Sequence, residues 1–293
     1  MSVLKTIQNK YLKASISTHG AELKGLLNLE TNVEHIWCSD PKFWGRSAPF
    51  LFPIVGTLKD KKTIINGKVY DMKQHGLLRD QEFTVEKESD TEITLVNKYN
   101  EETLKVFPFK YKAYITYILD GRTLDTKIVI ENLDNEVMPF NLGGHPAFMC
   151  PMFEGDKFND YSIYFETKET FKSPKVESNA TLNFDVPVFE KENCDVLNLD
   201  KSLFDIDTII ITKVKSKSVK LLNKDLKGIK FSYPSFSTLA IWTPYNEAPF
   251  VCLEPWNGYN DHHDTNGEFI TKDNIIKLNQ NEKYEASYKI EIL

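Results

Sequence analysis

Apolar and polar residues alternate with a period of two along much of the chain. Near the C-terminus, Tyr284, Ala286, Tyr288, Ile290 and Ile292 share one face and the residues between them are mostly polar, the pattern of a half-buried strand. The same period places Phe83 and Val85, then Ile93 and Leu95, on either side of a polar Ser89-Asp90 turn. Asn66-Gly67 and Asp120-Gly121 are hairpin signals, because these residues tolerate the positive φ of a primed turn. The second joins YKAYITYIL to LDTKIVIENL, both rich in β-branched and aromatic residues. Further strands are expected in YSIYFET, TIIITKV, SVKLLN, GIKFSY, TLAIWT and FVCLE. Helical spacing is weak, and short helical turns are expected only near residues 41–44 and 201–204. No linker or fixed-period repeat interrupts the strands. The pattern predicts an all-β chain: one large antiparallel β-sandwich domain over residues 1–293, with few short helices.

Composition narrows the classes of function. A 41% hydrophobic and 27% charged content is that of a globular chain with a substantial core. The net charge of -6 argues against a nucleic-acid partner, which requires a basic face. No apolar run approaches the ~18 residues of a membrane span, and MSVLKTIQNK lacks the apolar region of a signal peptide. A cytoplasmic protein is expected. Cys38, Cys150, Cys194 and Cys252 are scattered with no metal-ligand spacing, so reduced thiols are expected. Arginine is scarce, only Arg46, Arg79 and Arg122 being present, so each is worth examining for a role.

Four segments set polar groups among apolar or glycine-rich neighbours: GRSAPFLFPIVG, KQHGLLRD, NLGGHPAF and FVCLEPWNG. Glu254 follows four apolar residues and precedes Pro255-Trp256, so it is expected at the end of a strand buried on both sides. Desolvation there raises a carboxylate pKa toward that of a useful base, unless an ion pair makes the residue structural. His145, between Gly143-Gly144 and Pro146, is a proton donor or acceptor held in place, or a core histidine bonded to backbone. His75 and Arg79 lie four apart in a loop and reach one pocket, or solvent. Arg46 sits among Trp44, Pro49 and Phe50, as a donor to sugar hydroxyls or as a packing residue. Trp256, with Asn257 and Tyr259, suits a sugar-stacking rim.

Competing chemistries find less support. Asp261-His262-His263-Asp264 has metal-ligand residue types, but adjacent histidines on a strand point to opposite faces and the segment reads as a polar loop. GxSxG, GxGxxG and Walker patterns are absent. Neither a metal nor a cofactor is expected.

Taken together, these segments resemble the aldose 1-epimerases, or galactose mutarotase-like proteins, over essentially the whole chain. Gly20-Ala21-Glu22-Leu23 resembles the family's glycine–alanine turn, NLGGHPAF its histidine motif and CLEPW its glutamate motif. FPIVGTL followed by QHGLLRD resembles the branch holding lactose-operon-associated and hexose-6-phosphate epimerases. The resemblance implies a large antiparallel sandwich with a cleft across one sheet. It implies that Glu254 takes the proton from the C1 hydroxyl, that His145 protonates the ring oxygen, and that His75 and Arg46 bind sugar hydroxyls. It also implies an aspartate in the cleft, and within SLFDIDTIII Asp207 is preferred to Asp205. The expected partner is a small sugar, an unphosphorylated hexose in preference to a hexose 6-phosphate. Arg46 and Arg79 match two positions of the phosphate-binding branch, and a third is not evident. A non-catalytic carbohydrate-binding protein is the alternative of a different class. The oligomeric state is not readable from the sequence.

Overall fold

The computed structural model describes residues 2–244 and 247–293. The alternating segments form two large antiparallel sheets. The nine-stranded sheet runs, edge to edge, Leu182–Asn198, Tyr161–Val176, Ser218–Asn223, Gly228–Ser232, Lys283–Ile292, Thr123–Asn132, Tyr111–Asp120, Glu92–Lys98 and Thr84–Glu88. The six-stranded sheet runs Ile209–Thr212, Thr238–Trp242, Phe250–Asn257, Leu142–Gly144 and Phe50–Leu51, and Ala147–Met149 also pairs with Phe250–Asn257. A four-stranded sheet covers the N-terminal segment from Leu4 to Glu34. Phe148 meets Phe231 at 5.5 Å and Phe50 meets Tyr117 at 6.4 Å between ring centres, so the two large sheets face one another across a shared core. This is the expected sandwich.

Local outcomes follow turn chemistry. Both Asn66 and Gly67 take positive φ, as a two-residue primed turn requires. At the second hairpin Asp120 pairs with Thr123, so the loop is Gly121-Arg122, and only Gly121 has positive φ. Residues 41–44 form a single helical turn, the Asp40 carbonyl accepting the Phe43 and Trp44 N–H groups at 3.1 and 3.0 Å. A 3-10 turn does occupy Lys201–Phe204. The one α-helix among the described residues, Glu101–Val106, was not expected. Its signal is local: the Asn100 side chain accepts the Glu102 and Thr103 N–H groups and so caps the first turn. No described helix is long and apolar enough to cross a membrane.

Two features position the site. Along Phe250–Asn257 every residue is buried, and alternation divides them between two faces. Val251 and Leu253 enter the core between the sheets, while Cys252 and Trp256 pack in separate clusters on the opposite face. The strand continues past Glu254 to Asn257, carrying Pro255 opposite Leu239. Glu254 therefore lies within the strand and not at its end. The second feature is the long hairpin Tyr161–Val176/Leu182–Asn198, whose ladder is interrupted by register shifts between Tyr164 and Lys175. Bulges bend strands. Only the segment from Tyr161 to Phe165 stays paired with Ser218–Asn223, and farther on Ser173 Oγ accepts the Ile210 N–H at 2.9 Å. The hairpin thus reaches from one large sheet to the outer face of the other.

Gly143 permits close approach at the centre of the six-stranded sheet. A Cβ there would meet Trp256 Cδ1 at 2.8 Å and the Pro255 carbonyl at 3.2 Å. We predict that Gly143→Ala lowers stability by about 1–3 kcal/mol through overpacking, a fall in Tm of roughly 2 °C or more. Thermal unfolding followed by circular dichroism checks this, and an unchanged Tm would contradict the packing described.

Candidate active site

On the outer face of the six-stranded sheet lies a cavity of about 320 Å³. Sheet residues Glu254, Trp256, Trp242 and Ile210 contribute to its lining. Loop residues Trp44, Gly56, Gln74, His75, Arg79, His145 and Asn260 complete much of the wall, and Val176 and Ala180 from the bent hairpin close one side. Six of the seven site residues read from the sequence meet here: His145, Glu254, His75, Arg79, Asp207 and Trp256. Asp205 does not line the cavity, whereas Asp207, in a turn with φ +78, does.

Arg46, the seventh, is not among the lining residues. Its guanidinium donates to the Arg79 carbonyl at 3.0 Å, pairs with Asp80, and lies 3.9 Å from Glu22. It is anchored to the backbone of the loop that presents Arg79. Asn257 and Tyr259 are likewise committed outside the cavity, the first to Ser235 and Tyr284, the second to Asp273.

At the centre of the cavity, His145 Nε2 and Glu254 Oε2 are 3.1 Å apart. Both residues are buried, with exposures of 7% and 1%. Glu254 Oε2 nonetheless accepts no hydrogen bond, and His145 Nδ1 also lacks a partner among the described residues. Burial pushes the Glu254 pKa well above the usual carboxylate range; the nearby Trp256 indole opposes this shift and the Asp207 charge adds to it. Burial also lowers His145 to about 3, with the Arg79 and Arg46 charges acting in the same direction. Each group is thus driven toward its neutral form. The imidazole is held by rings: it stacks on Trp44 at 4.7 Å and meets Trp242 and His75 edge to face at 5.7 and 5.5 Å.

Gly56 fixes the state of His75. Its N–H donates to His75 Nδ1 at 3.1 Å, and its carbonyl accepts the His75 N–H at 2.8 Å. A neutral imidazole accepting at Nδ1 carries its proton at Nε2, so His75 presents a donor. Burial, reinforced by His145 and the two arginines, keeps its pKa well below the ordinary value. Only glycine fits at position 56: φ is +72, and a Cβ would fall 1.8 Å from Asn260 Oδ1. Arg79 Nε is buried without a partner among the described residues, and burial followed by the Arg46 charge lowers its pKa.

Sequence reasoning missed several wall residues. Trp44 was visible only as a neighbour of Arg46, and Trp242 only as part of an apolar strand. Gln74 and Asn260 carried no local signal at all.

The arrangement provides two adjacent proton-transfer groups, a fixed neutral donor, a guanidinium, an aspartate and three indole rings. Such a lining suits a polyhydroxylated ring. Comparison with known proteins agrees. The family model for aldose 1-epimerase matches residues 3–291. Protein LacX (plasmid) of Lactococcus lactis subsp. lactis is 32% identical over 295 residues, with 98% of each chain covered. A galactose mutarotase related enzyme from Lactobacillus acidophilus superposes with a TM-score of 0.93 at 30% identity, covering 99% of this chain and 97% of its own. A galactose mutarotase-like protein from Lactobacillus casei gives 0.93 at 32% identity, covering 99% and 100%. These similarities support a sugar epimerase or mutarotase role. The chain belongs to the aldose 1-epimerase family.

Proposed function

We propose that this protein interconverts the α and β anomers of an unphosphorylated hexose, with Glu254 and His145 as its proton-transfer pair and residues 1–293 working as one domain. The observation that carries this reading is the pair itself: two buried groups 3.1 Å apart, facing one cavity, with Glu254 Oε2 unsatisfied. Anomerisation moves protons at two oxygens bonded to the same carbon, the C1 hydroxyl and the ring oxygen. One base and one acid set side by side meet that demand.

The directions of the pKa shifts give the pair one mobile proton. In the empty cavity it rests on Glu254, beside a neutral imidazole. A bound closed sugar favours the other arrangement, donating its C1 hydroxyl to a Glu254 carboxylate and accepting at its ring oxygen from a His145 imidazolium. Proton transfer from O1 to Glu254 and from His145 to the ring oxygen then breaks the C1–O bond and leaves the aldehyde. It also returns the pair to the neutral form that burial favours. Rotation about C1–C2 and the reverse transfers close the other anomer. His75 Nε2–H and Arg79 serve as donors to hydroxyls, Asp207 as acceptor, and Trp256 as a stacking surface.

Two details favour a neutral sugar. Arg79 is the only lysine or arginine lining the cavity among the described residues, because Arg46 is engaged elsewhere. A phosphate dianion would also have to share the space with Asp207 and Glu254. A purely binding protein gains nothing from an unsatisfied buried carboxylate, which costs folding free energy.

Three outcomes are expected. In polarimetry on freshly dissolved α-D-glucose and α-D-galactose, with a coupled assay for glucose 6-phosphate, a neutral hexose turns over fastest. Glu254→Gln and His145→Asn each slow it about 10²–10⁴-fold; full activity in either variant would remove that residue from the reaction. Second, kcat/KM stays flat as pH falls from ~7 to ~5, because His145 resists a second proton down to about 3. An acid limb costing about tenfold by pH ~5.5 would mean an ordinary imidazole instead. Third, because the Glu254 pKa is raised on folding, the native state gives up stability as pH rises above the unfolded carboxylate value. Glu254→Gln therefore melts about 2 °C or more above wild type at pH ~7, and the gap closes near pH ~4, where both side chains are neutral. A variant no more stable at pH ~7 would contradict the raised pKa.

A further inference from the structure

Strand Phe250–Asn257 brings a third kind of ligand atom to the pair. Cys252 is two residues before Glu254, so strand geometry sends both side chains to the same face. The ligand atoms of His145, Cys252 and Glu254 all lie within 4.8 Å of one another. The thiol is free and fully buried. Glu254 Oε2 and His145 Nδ1 have no hydrogen-bond partner among the described residues, and the contact a metal would replace is that of His145 Nε2 with Glu254 Oε2 at 3.1 Å. Neither the sugar nor the proton pair described above has a use for Cys252.

Imidazole, thiolate and carboxylate form a zinc-type donor set, and three protein ligands with one open position is the pattern of an accessible zinc site. Bonds of roughly 2.3 Å to sulfur and 2.0 Å to nitrogen or oxygen place tetrahedral ligand atoms about 3.5 Å apart. From a widest separation of 4.8 Å, side-chain rotation has to supply about 1 Å. His145 and Glu254 line the cavity and Cys252 does not, so a fourth ligand such as water would have to come from the cavity side. Charge also balances. Thiol and carboxyl each release a proton to solvent, and two anions around a dication leave a neutral group in a buried site.

We propose that His145, Cys252 and Glu254 form a reversible site for a thiophilic divalent cation such as Zn²⁺, and that its occupation stops sugar turnover by taking the lone pairs of the acid–base pair. The binding half stands on geometry alone; the inhibitory half rests on the proposed mutarotase reading. Elsewhere, the Asp261–Asp264 segment is already ion-paired, Asp261 with Lys272 at 2.7 Å and His262 with Asp273 at 2.9 Å.

The test uses untagged full-length protein in a Cys38→Ser background, because Cys38 is the exposed thiol. Co²⁺ titration should produce a near-ultraviolet thiolate-to-cobalt band at one equivalent, absent from both Cys252→Ser and Cys252→Ala. Two variants are used, each checked for an intact melting transition, so that a folding defect in one leaves the result readable. Zn²⁺ affinity, measured against a chromophoric chelator, should fall at least about tenfold in the variants, as expected when a thiolate ligand is lost. Both should keep wild-type turnover without metal and resist Zn²⁺ levels that inhibit the parent competitively with sugar. No thiolate band, or equal Zn²⁺ affinity with and without Cys252, overturns the site. A band with unimpaired turnover at saturating Zn²⁺ overturns the inhibition. A protein that turns over no sugar but shows the Cys252-dependent band would refute the mutarotase reading and the inhibition while leaving the metal site standing.

Discussion

The structure turns on one buried carboxyl group, Glu254, whose Oε2 has no hydrogen-bond partner among the described residues. Four acidic side chains are buried among the described residues: Glu22, Glu169, Glu254 and Asp261. Three have their charge met. Glu22 accepts the Ser47 and Ala48 N–H groups and pairs with Lys24. Glu169 accepts the Lys215 and Ser216 N–H groups, and Asp261 holds Lys272 and the Lys59 N–H. Glu254 has no cation beside it, only an imidazole that burial keeps neutral and the Trp256 indole. An isolated ionised carboxylate at such a position costs several kcal/mol, so the group keeps its proton instead. That proton is what the proposed chemistry uses. Burial alone does not set Glu254 apart from the other three; the lack of a cation or backbone N–H paired with it among the described residues does.

Holding such a group requires rigid surroundings, because a mobile wall would admit water and relax the shift. The strand carrying Glu254 is buried along its whole length, and its neighbours on both sides are also strands. Loops supply the rest, and each is tied down. Glu22 fixes residues 46–48 from the N-terminal sheet, Arg46 grips the carbonyl of Arg79, and Gly56 pairs in both directions with His75. The Ala180 carbonyl at the hairpin tip accepts Asn260 Nδ2 at 2.6 Å. The N-terminal motif Gly20-Ala21-Glu22-Leu23 thus reaches the cavity through two relays without entering it. Arg46, expected to bind sugar, belongs to one of those relays and does not line the cavity.

How much of this was legible follows from the range of each signal. Period-two alternation is local, so nearly every strand could be read, and the run FVCLEPW announced a buried Glu254 because four consecutive apolar residues leave it no exposed face. Gly143-Gly144 marked His145 for a related reason: only a residue without a side chain admits the Trp256 ring so closely. Trp44 and Trp242 flank the same imidazole from positions 198 residues apart. Nothing local separates them from core aromatics. Arg46 and Arg79 looked alike in sequence, and their different tasks depend on Glu22 and Asp80, whose directions no spacing encodes. The cap on Glu101–Val106 was readable and passed over, because six residues are too few to show a helical period.

The neutral resting pair also constrains what kind of sugar chemistry suits the cavity. A carboxyl group whose pKa burial raises is a poor nucleophile, and an imidazole with its pKa near 3 is a poor standing acid. Neither is prepared for a substrate that demands a permanent charge, as covalent attack at an anomeric carbon does. Both are prepared for a substrate that brings a donor and an acceptor on the same carbon, because it transiently stabilises the charged arrangement and then discharges it. A free hemiacetal has that pair of groups; a glycoside, whose O1 carries no proton, does not. On the proposed reading, the substrate that matches this pair is therefore a reducing sugar, whose C1 hydroxyl and ring oxygen sit on one carbon.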